Sequence, residues 1–369
     1  MGSIISIGVM YSTYLILGIL MGFMPYLTRK TESFGVTIPE DIYYSEQLKS
    51  MRKKYSVQAI LILLPLSIGF AVLSFKAITP ERGTFIFGMG LVLLIGCLFA
   101  LYLKYHFTMK RLKSDNKWEK EKPQAIVIDT RFRNRKLAHS NLWFLIPAFI
   151  MLATLAITLI YFDRIPERIA LQYDLSGEVT RWADKSYRAI FWIPVQQFIM
   201  IALFVFVNSI ISRAKQQINA ANPEKSLVQN QIFRLRWSAF IVVTGISMVI
   251  IFGSIQMSFI FNVDPKVMLV ISGLLTGMLL ILAIILSIST GQGGSRVNVN
   301  DGRTTAEIDR DDDRYWKLGQ FYFNPNDPTI FIEKRFGIGW TINFASIKAW
   351  LILIGIIAVT IGSQYIFRI

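Results

Sequence analysis

One cysteine and two histidines are all that the 369-residue chain offers to thiol or soft-metal chemistry. Cys97 lies inside an apolar run, so no intrachain disulfide can form. His106 and His139 share one polar segment, and a His/Cys zinc site needs more ligands than these. Charge is scarce as well: 17% of residues carry it, against roughly 25% in soluble globular proteins. The HExxH, GxSxG and GxxxxGK[ST] spacings of zinc hydrolases, serine nucleophile turns and phosphate-cradling loops do not occur. The expectation is a protein that is not an enzyme and uses no metal and no cofactor.

What fills the chain instead is hydrocarbon. Hydrophobic residues make up 53% of it, in runs near or above the ~20 residues that cross a bilayer. Eight spans are expected, near 3–26, 57–76, 84–103, 142–162, 189–211, 237–262, 267–289 and 349–367. The loops after spans one, three, five and seven hold 30 Lys/Arg against 17 acids; those after spans two, four and six, with Lys76 at the edge of span two counted, hold eight against seven. Basic loops stay in the cytoplasm, which puts both termini outside. The same rule absorbs the net charge of +15 without invoking nucleic acid, because the excess sits beside membrane spans where anionic lipid attracts it.

No Asp, Glu, Lys, Arg or His stands in the middle of any span. Such residues normally mark proton relays and ion paths, so a proton-coupled carrier or charge-lined channel is disfavoured. The larger midspan polar residues are Gln196, Gln197, Asn208 and Gln256, and hydrogen bonding between helices is their expected role. Gly18/Gly22 and Gly273/Gly277 form GxxxG patterns, which we assign to close helix packing within the chain.

Three polar segments have features of their own. Thr37 and Glu40 have capping-box spacing, with Pro39 early in the helix. The expectation is a surface-lying cytoplasmic helix over about 39–55, ending in Arg52-Lys53-Lys54 at headgroup level. Gly291 through Thr305 reads as a flexible linker. Asp309 to Asp313 resembles the start of a calcium loop, but Arg314 replaces the turn glycine and Gln320 the final Glu. From Leu318 to Phe344, runs rich in aromatic and β-branched residues alternate with Asn-Pro-Asn-Asp-Pro and Phe-Gly-Ile-Gly turns, predicting a small three-stranded meander on the cytoplasmic face. Trp340, Phe344 and Trp350 are its expected membrane anchors. Outside, the loop 163–188 holds five acids, five bases and Tyr173, Trp182 and Tyr187. A compact cap able to bind a peptide or protein and a functionless connector fit it equally well.

This loop also carries a resemblance. Arg164-Ile165-Pro166-Glu167-Arg168-Ile169-Ala170-Leu171-Gln172-Tyr173-Asp174, followed by Gly177-Glu178 and Lys185, resembles a bacterial membrane module of unknown function, best known from immunity proteins against a sporulation-delaying peptide toxin of Gram-positive bacteria. Phe34–Glu40 through Tyr55 is similar to the N-terminal part of larger members. Asp312 through Phe344 resembles a second uncharacterised module found on the same kind of chain. Gln172 stands where many members have histidine, and the immunity protein's second membrane half has no counterpart here.

The resemblance implies a multi-pass plasma-membrane protein of a bacterium with an immunity or signal-reception role. The combined expectation is an all-α integral membrane protein with a cytoplasmic β meander before the last helix. Its regions are a three-span unit (1–140), a four-span core (141–290) and a linker, meander and last span (291–369). Tyr173, Asp174, Gly177, Arg181, Trp182 and Lys185 would meet a peptide toxin or other extracellular protein. Trp316, Gly319, Tyr322, Asn324, Asp327, Arg335, Gly339 and Trp340 would form the cytoplasmic module, facing a regulator. The alternative is an accessory, permease-like transporter subunit whose ATPase is a separate chain, docked on the helix near 39–55.

Overall fold

The computed structural model describes residues 2–76, 80–118, 124–125, 135–173, 178–261, 263–299, 308–309 and 311–367. Among the described residues, eight helices are long and apolar enough to cross a membrane: α1 (Gly2–Phe23), α3 (Glu46–Phe75), α4 (Pro80–Asp115), α5 (Leu145–Ile160), α6 (Tyr187–Arg213), α7 (Pro223–Met257), α8 (Pro265–Thr290) and α9 (Ile347–Ile366). A one-turn helix, α2 (Glu40–Tyr43), precedes α3. The eight expected spans all correspond to helices, and the all-α membrane architecture holds.

Helix ends depart from the apolar runs, because bilayer thickness limits the run but not the helix. α3 begins eleven residues before its apolar stretch, where the Ser45 hydroxyl accepts from the Leu48 N–H and caps the first turn. The surface-lying helix over 39–55 is therefore corrected: most of it is the first three turns of α3, with Leu48, Met51 and Tyr55 buried. The capping box is absent too. Pro39 is the N-cap of α2, without a side-chain bond, and the Thr37 hydroxyl donates to Asp313 Oδ1 at 2.9 Å. Arg52 does not reach out to headgroups. It is buried, its guanidinium 3.9 Å from the Tyr43 ring centroid and its Nη2 donating to the Tyr43 carbonyl.

The first unit is α1, α3 and α4. Gly18 and Gly22 lie against Leu63 and Ala59 of α3 so closely that an added Cβ would meet them at 2.4 and 3.2 Å, the close approach that small residues permit. Ser56 and Tyr55 hydroxyls donate to the carbonyls of Gly22 and Met21. The second unit is α5, α6 and α7, with α8 against α7 and α9 against α6. Its interior is apolar around Phe144, Met151, Ile201, Val242 and Val249, crossed by the expected interhelical bonds. Asn208 Nδ2 donates to the His139 carbonyl and Asn141 Oδ1, Ser238 Oγ donates to Asn208 Oδ1, and Gln197 Nε2 donates to the Val249 carbonyl. Gln196 Nε2 donates to Ser363 Oγ of α9. Gln256 is fully buried, with neither amide atom hydrogen-bonded. Gly273 and Gly277 have nothing within 4 Å of an added Cβ, so the packing role assigned to that pair is not met among the described residues.

Strands are short and pair in twos. β1 (Glu32–Ser33) and β2 (Val36–Thr37) form a hairpin after α1, and β4 (Arg168–Tyr173) and β5 (Val179–Asp184) form the outer hairpin between α5 and α6. β3 (Gln124–Ala125) runs parallel to β6 (Ile308–Asp309). The expected meander resolves into two hairpins, β7 (Trp316–Lys317) with β8 (Phe321–Tyr322), and β9 (Phe331–Glu333) with β10 (Trp340–Ile342). A single bridge, Tyr322 to Asn343, links them. Leu318 and Gly319 both have positive φ, so the chain reverses there instead of running on as one strand.

Candidate functional site

Two places gather side chains with binding chemistry, one at each end of the four-span core. The cytoplasmic one is built on α7. Arg234, three residues before the expected span, is fully buried and reaches the open end of α6, where its Nη1 and Nη2 donate to the Ile211 and Ala214 carbonyls at 2.6 and 3.1 Å. A cation there satisfies carbonyls that the helix leaves unpaired and complements the helix dipole. Its Nε donates to Asn230 Oδ1 at 2.7 Å, and its Nη2 also donates to Glu333 Oε1 at 2.8 Å. Glu333, on β9 and with no exposed surface, further accepts from Asn230 Nδ2 and from Arg29, which lies between α1 and β1. Arg29 also donates to Gln217 in the α6–α7 connection. Glu333 therefore ties the C-terminal module to both helical units at once.

Two residues on, past the end of β9, Arg335 points into the first unit. It pairs with Asp312 and Asp313 and donates to the Gly35 carbonyl at 3.3 Å. Complete burial pushes its guanidinium down to about 10, against the opposing pull of Glu32 and Asp311, so it stays cationic at neutral pH. Burial raises the Asp313 carboxyl above its ordinary value, opposed chiefly by Lys113, whose Nζ lies 2.7 Å from Asp313 and 3.0 Å from Asp311. The acidic run is thus the counter-charge for Lys113 of α4 and for Arg335. Among the described residues no group of three His, Cys, Asp or Glu side chains could hold a metal ion.

The other residues expected in this module converge around the same strands. Trp316 is buried with the Arg335 guanidinium 5.1 Å from its ring. Gly319, at φ +69°, abuts Gly35, at φ +75°, and a Cβ on it would meet Tyr102 Oη at 2.6 Å. Only glycine takes such a close approach with positive φ at low cost. Tyr322 donates to Asp327 Oδ2 at 2.7 Å, and Asn324 exchanges hydrogen bonds with Asn343. Burial acts to raise the Asp327 carboxyl, but hydrogen bonds from Lys215, Thr329 and Tyr322 outweigh it and hold it well below the ordinary carboxylate value. Gly339 donates its N–H to Gln292 Oε1, and its carbonyl accepts from Gln292 Nε2. Gln292 is fully buried. Its Nε2 also donates to the Lys334 carbonyl, and its backbone N–H donates to the Leu27 carbonyl at 2.7 Å.

The expected flexible linker therefore does not begin at Gly291: Gly291, Gln292, Gly294 and Val297 are buried in the junction, while 300–307 lie outside the described residues. Trp340 packs its ring 5.4 Å from Phe233 of α7.

The second place is the outer hairpin. Ile165, Ile169, Leu171 and Ala183 point down onto Ala189, Ile190, Ile193 and Phe259, closing the outer end of α6 and α7 with an apolar seat. Of the residues expected to meet a partner, Trp182 is half exposed on the upper face. Arg181 faces the other way, its guanidinium 5.9 Å from the Trp192 ring. Lys185 lies over Phe162, and its N–H donates to the Glu167 carbonyl. Tyr173 ends β4 opposite Val179. Asp174 and Gly177 lie outside the described residues.

Sequence reasoning missed Arg29, Asn230, Arg234, Gln292 and Glu333. The available signal was Glu333-Lys334-Arg335 inside an aromatic strand, where period-two alternation puts Glu333 and Arg335 on one face. Nothing local pointed to their partners.

Two family models match parts of the chain. Residues 149–198, from α5 through the outer hairpin into α6, match a domain of unknown function (DUF1648), and residues 325–350, from the turn before β9 into α9, match a family of unknown function (DUF5808). No curated protein and no solved structure matches the chain. With eight apolar helices, it is a multi-pass membrane protein whose activity neither match assigns.

Proposed function

We propose that the chain is a non-enzymatic receptor-like or immunity-type protein of a bacterial plasma membrane. It engages a peptide or protein at the outer hairpin and passes that event to the cytoplasmic module. One observation carries the reading: the outer hairpin is seated on α6 and α7, the same two helices whose cytoplasmic ends hold Glu333 through Arg234. A partner that tilts or tightens the hairpin moves helices that the module grips directly. Arg181, Trp182 and Lys185 are its described candidate contacts, and Tyr173, Asp174 and Gly177 are the further candidates from the sequence. The transporter-subunit alternative draws less support, because Leu48 and Met51 of the helix it needs for docking are buried within the chain.

The test is survival of a toxin-sensitive bacterium exposed to membrane-active peptides, with and without this gene. Wild type is compared with Trp182→Ala and with Tyr173→Ala/Asp174→Ala at matched membrane levels. Protection that these variants lose supports the reading. Equal protection by wild type and variants removes the hairpin from the site, and a co-purifying ATPase at fixed stoichiometry favours the transporter subunit.

A further inference from the structure

Beyond the junction and the hairpin, a third feature lies where the cytoplasmic ends of α3 and α4 part. The two helices are 30 and 36 residues long, or ~45 and ~54 Å at 1.5 Å per residue. Both exceed a hydrocarbon layer of ~30 Å, so their cytoplasmic turns stand clear of it. There they flank a groove of about 420 Å³. Its floor is Met51, Tyr105 and Leu112, and its rim includes Lys54, Gln58 and Lys104. Tyr105 is buried and donates to Gln58 Oε1 at 3.1 Å, which fixes the floor.

Charge and level select the occupant. Lys54 precedes the apolar stretch of α3 by three residues and Lys104 directly follows that of α4, so both stand where hydrocarbon gives way to headgroups. No carboxylate lines the groove, and among the described residues neither lysine has an ion-pair partner. Towards the bilayer, exposed Val57, Leu61 and Leu64 continue the surface of α3 into the hydrocarbon. We propose that this groove binds the headgroup of an anionic phospholipid of the cytoplasmic leaflet. The phosphate lies between Lys54 and Lys104, and the acyl chains descend along α3. Juxtamembrane lysines attract anionic lipid individually; two on one rim over an apolar floor hold a single molecule.

The full chain, purified in detergent micelles with added phosphatidylglycerol or phosphatidylcholine, is released in a native mass spectrometer and its retained lipid counted. Phosphatidylglycerol is expected to be retained preferentially. Lys54→Gln and Lys104→Gln should each weaken retention about fivefold, Lys54→Arg/Lys104→Arg should keep it, and Lys266→Gln at the opposite membrane face should leave it unchanged. Equal retention of the two lipids, or no loss in Lys54→Gln/Lys104→Gln, overturns the proposal. Displacement of phosphatidylglycerol by millimolar inorganic phosphate also overturns it, in favour of a free-anion site.

Discussion

The two ends of the four-span core are closed by opposite physics. At the outer end a hairpin rests on an apolar seat, with its charges at the edge and in contact with aromatic rings. At the cytoplasmic end, Arg234, Glu333 and Arg335 are buried: Arg234 pairs with Glu333 and with backbone carbonyls, and Arg335 pairs with Asp312 and Asp313, its Nε left without a hydrogen bond. Apolar contact is non-directional, so the hairpin can shift by small amounts and lose little. A buried ion pair has no such tolerance, because separating its partners leaves a charge in a medium that cannot solvate it. Under the proposed function, the outer end is a soft input and the cytoplasmic end a sharply registered output.

The largest effect expected from breaking the contrast is at Glu333. Glu333→Ala leaves Arg234 buried without its carboxylate and should cost about 3–5 kcal/mol, read as a lowered denaturation midpoint of the protein in micelles. Replacing both partners with leucine should cost less than the single change, because no fully buried charge is left unpaired and Arg29 keeps Glu32 at 3.5 Å. At the other end, Ile169→Ala removes apolar packing only and should cost about 2–4 kcal/mol. Its effect should be insensitive to salt and pH, which sharpens the distinction.

Gly319→Ala is the next smaller test, at about 1–3 kcal/mol for a side chain at positive φ, since the added Cβ would meet Tyr102 and His106. It should loosen the β7–β8 turn from α4, seen as faster amide exchange at Phe321–Tyr322. The smallest effect is a pH dependence at Asp327. Its folded carboxyl titrates below its unfolded value, so its stabilisation is complete above about pH 3.9. That stabilisation is lost as pH falls through the depressed folded value. Asp327→Asn should flatten the acid limb of the stability curve and leave the neutral region unchanged in slope.

How much of this was legible in the sequence follows from the range of each signal. The bilayer demands ~20 apolar residues in succession, so every span is written locally and all eight were readable. The cytoplasmic turns of α3 and α4 carry no such run. They are helical because Leu48, Met51, Tyr105 and Met109 find packing partners in the folded chain. The module's turns were readable from their Gly, Asn and Pro residues, but the reversal at Leu318-Gly319 was not, since it depends on contact with Gly35. Arg335 was identified without its partners and Glu333 not at all. Arg29, Arg234 and Glu333 come from three distant parts of the chain, and in sequence the two arginines are indistinguishable from the basic excess that flanks any cytoplasmic span.

The central claim is that the outer hairpin and the cytoplasmic module are coupled through α6 and α7. Hydrogen exchange of the chain in lipid nanodiscs, comparing wild type with Ile169→Asp, tests it without any ligand. A carboxylate beneath the hairpin should lift it from its seat. The account predicts faster exchange at β4–β5 and, on the far side of the membrane, at Phe331–Glu333 and Trp340–Ile342. Faster exchange confined to the outer hairpin, with the cytoplasmic strands as protected as in wild type, would contradict it.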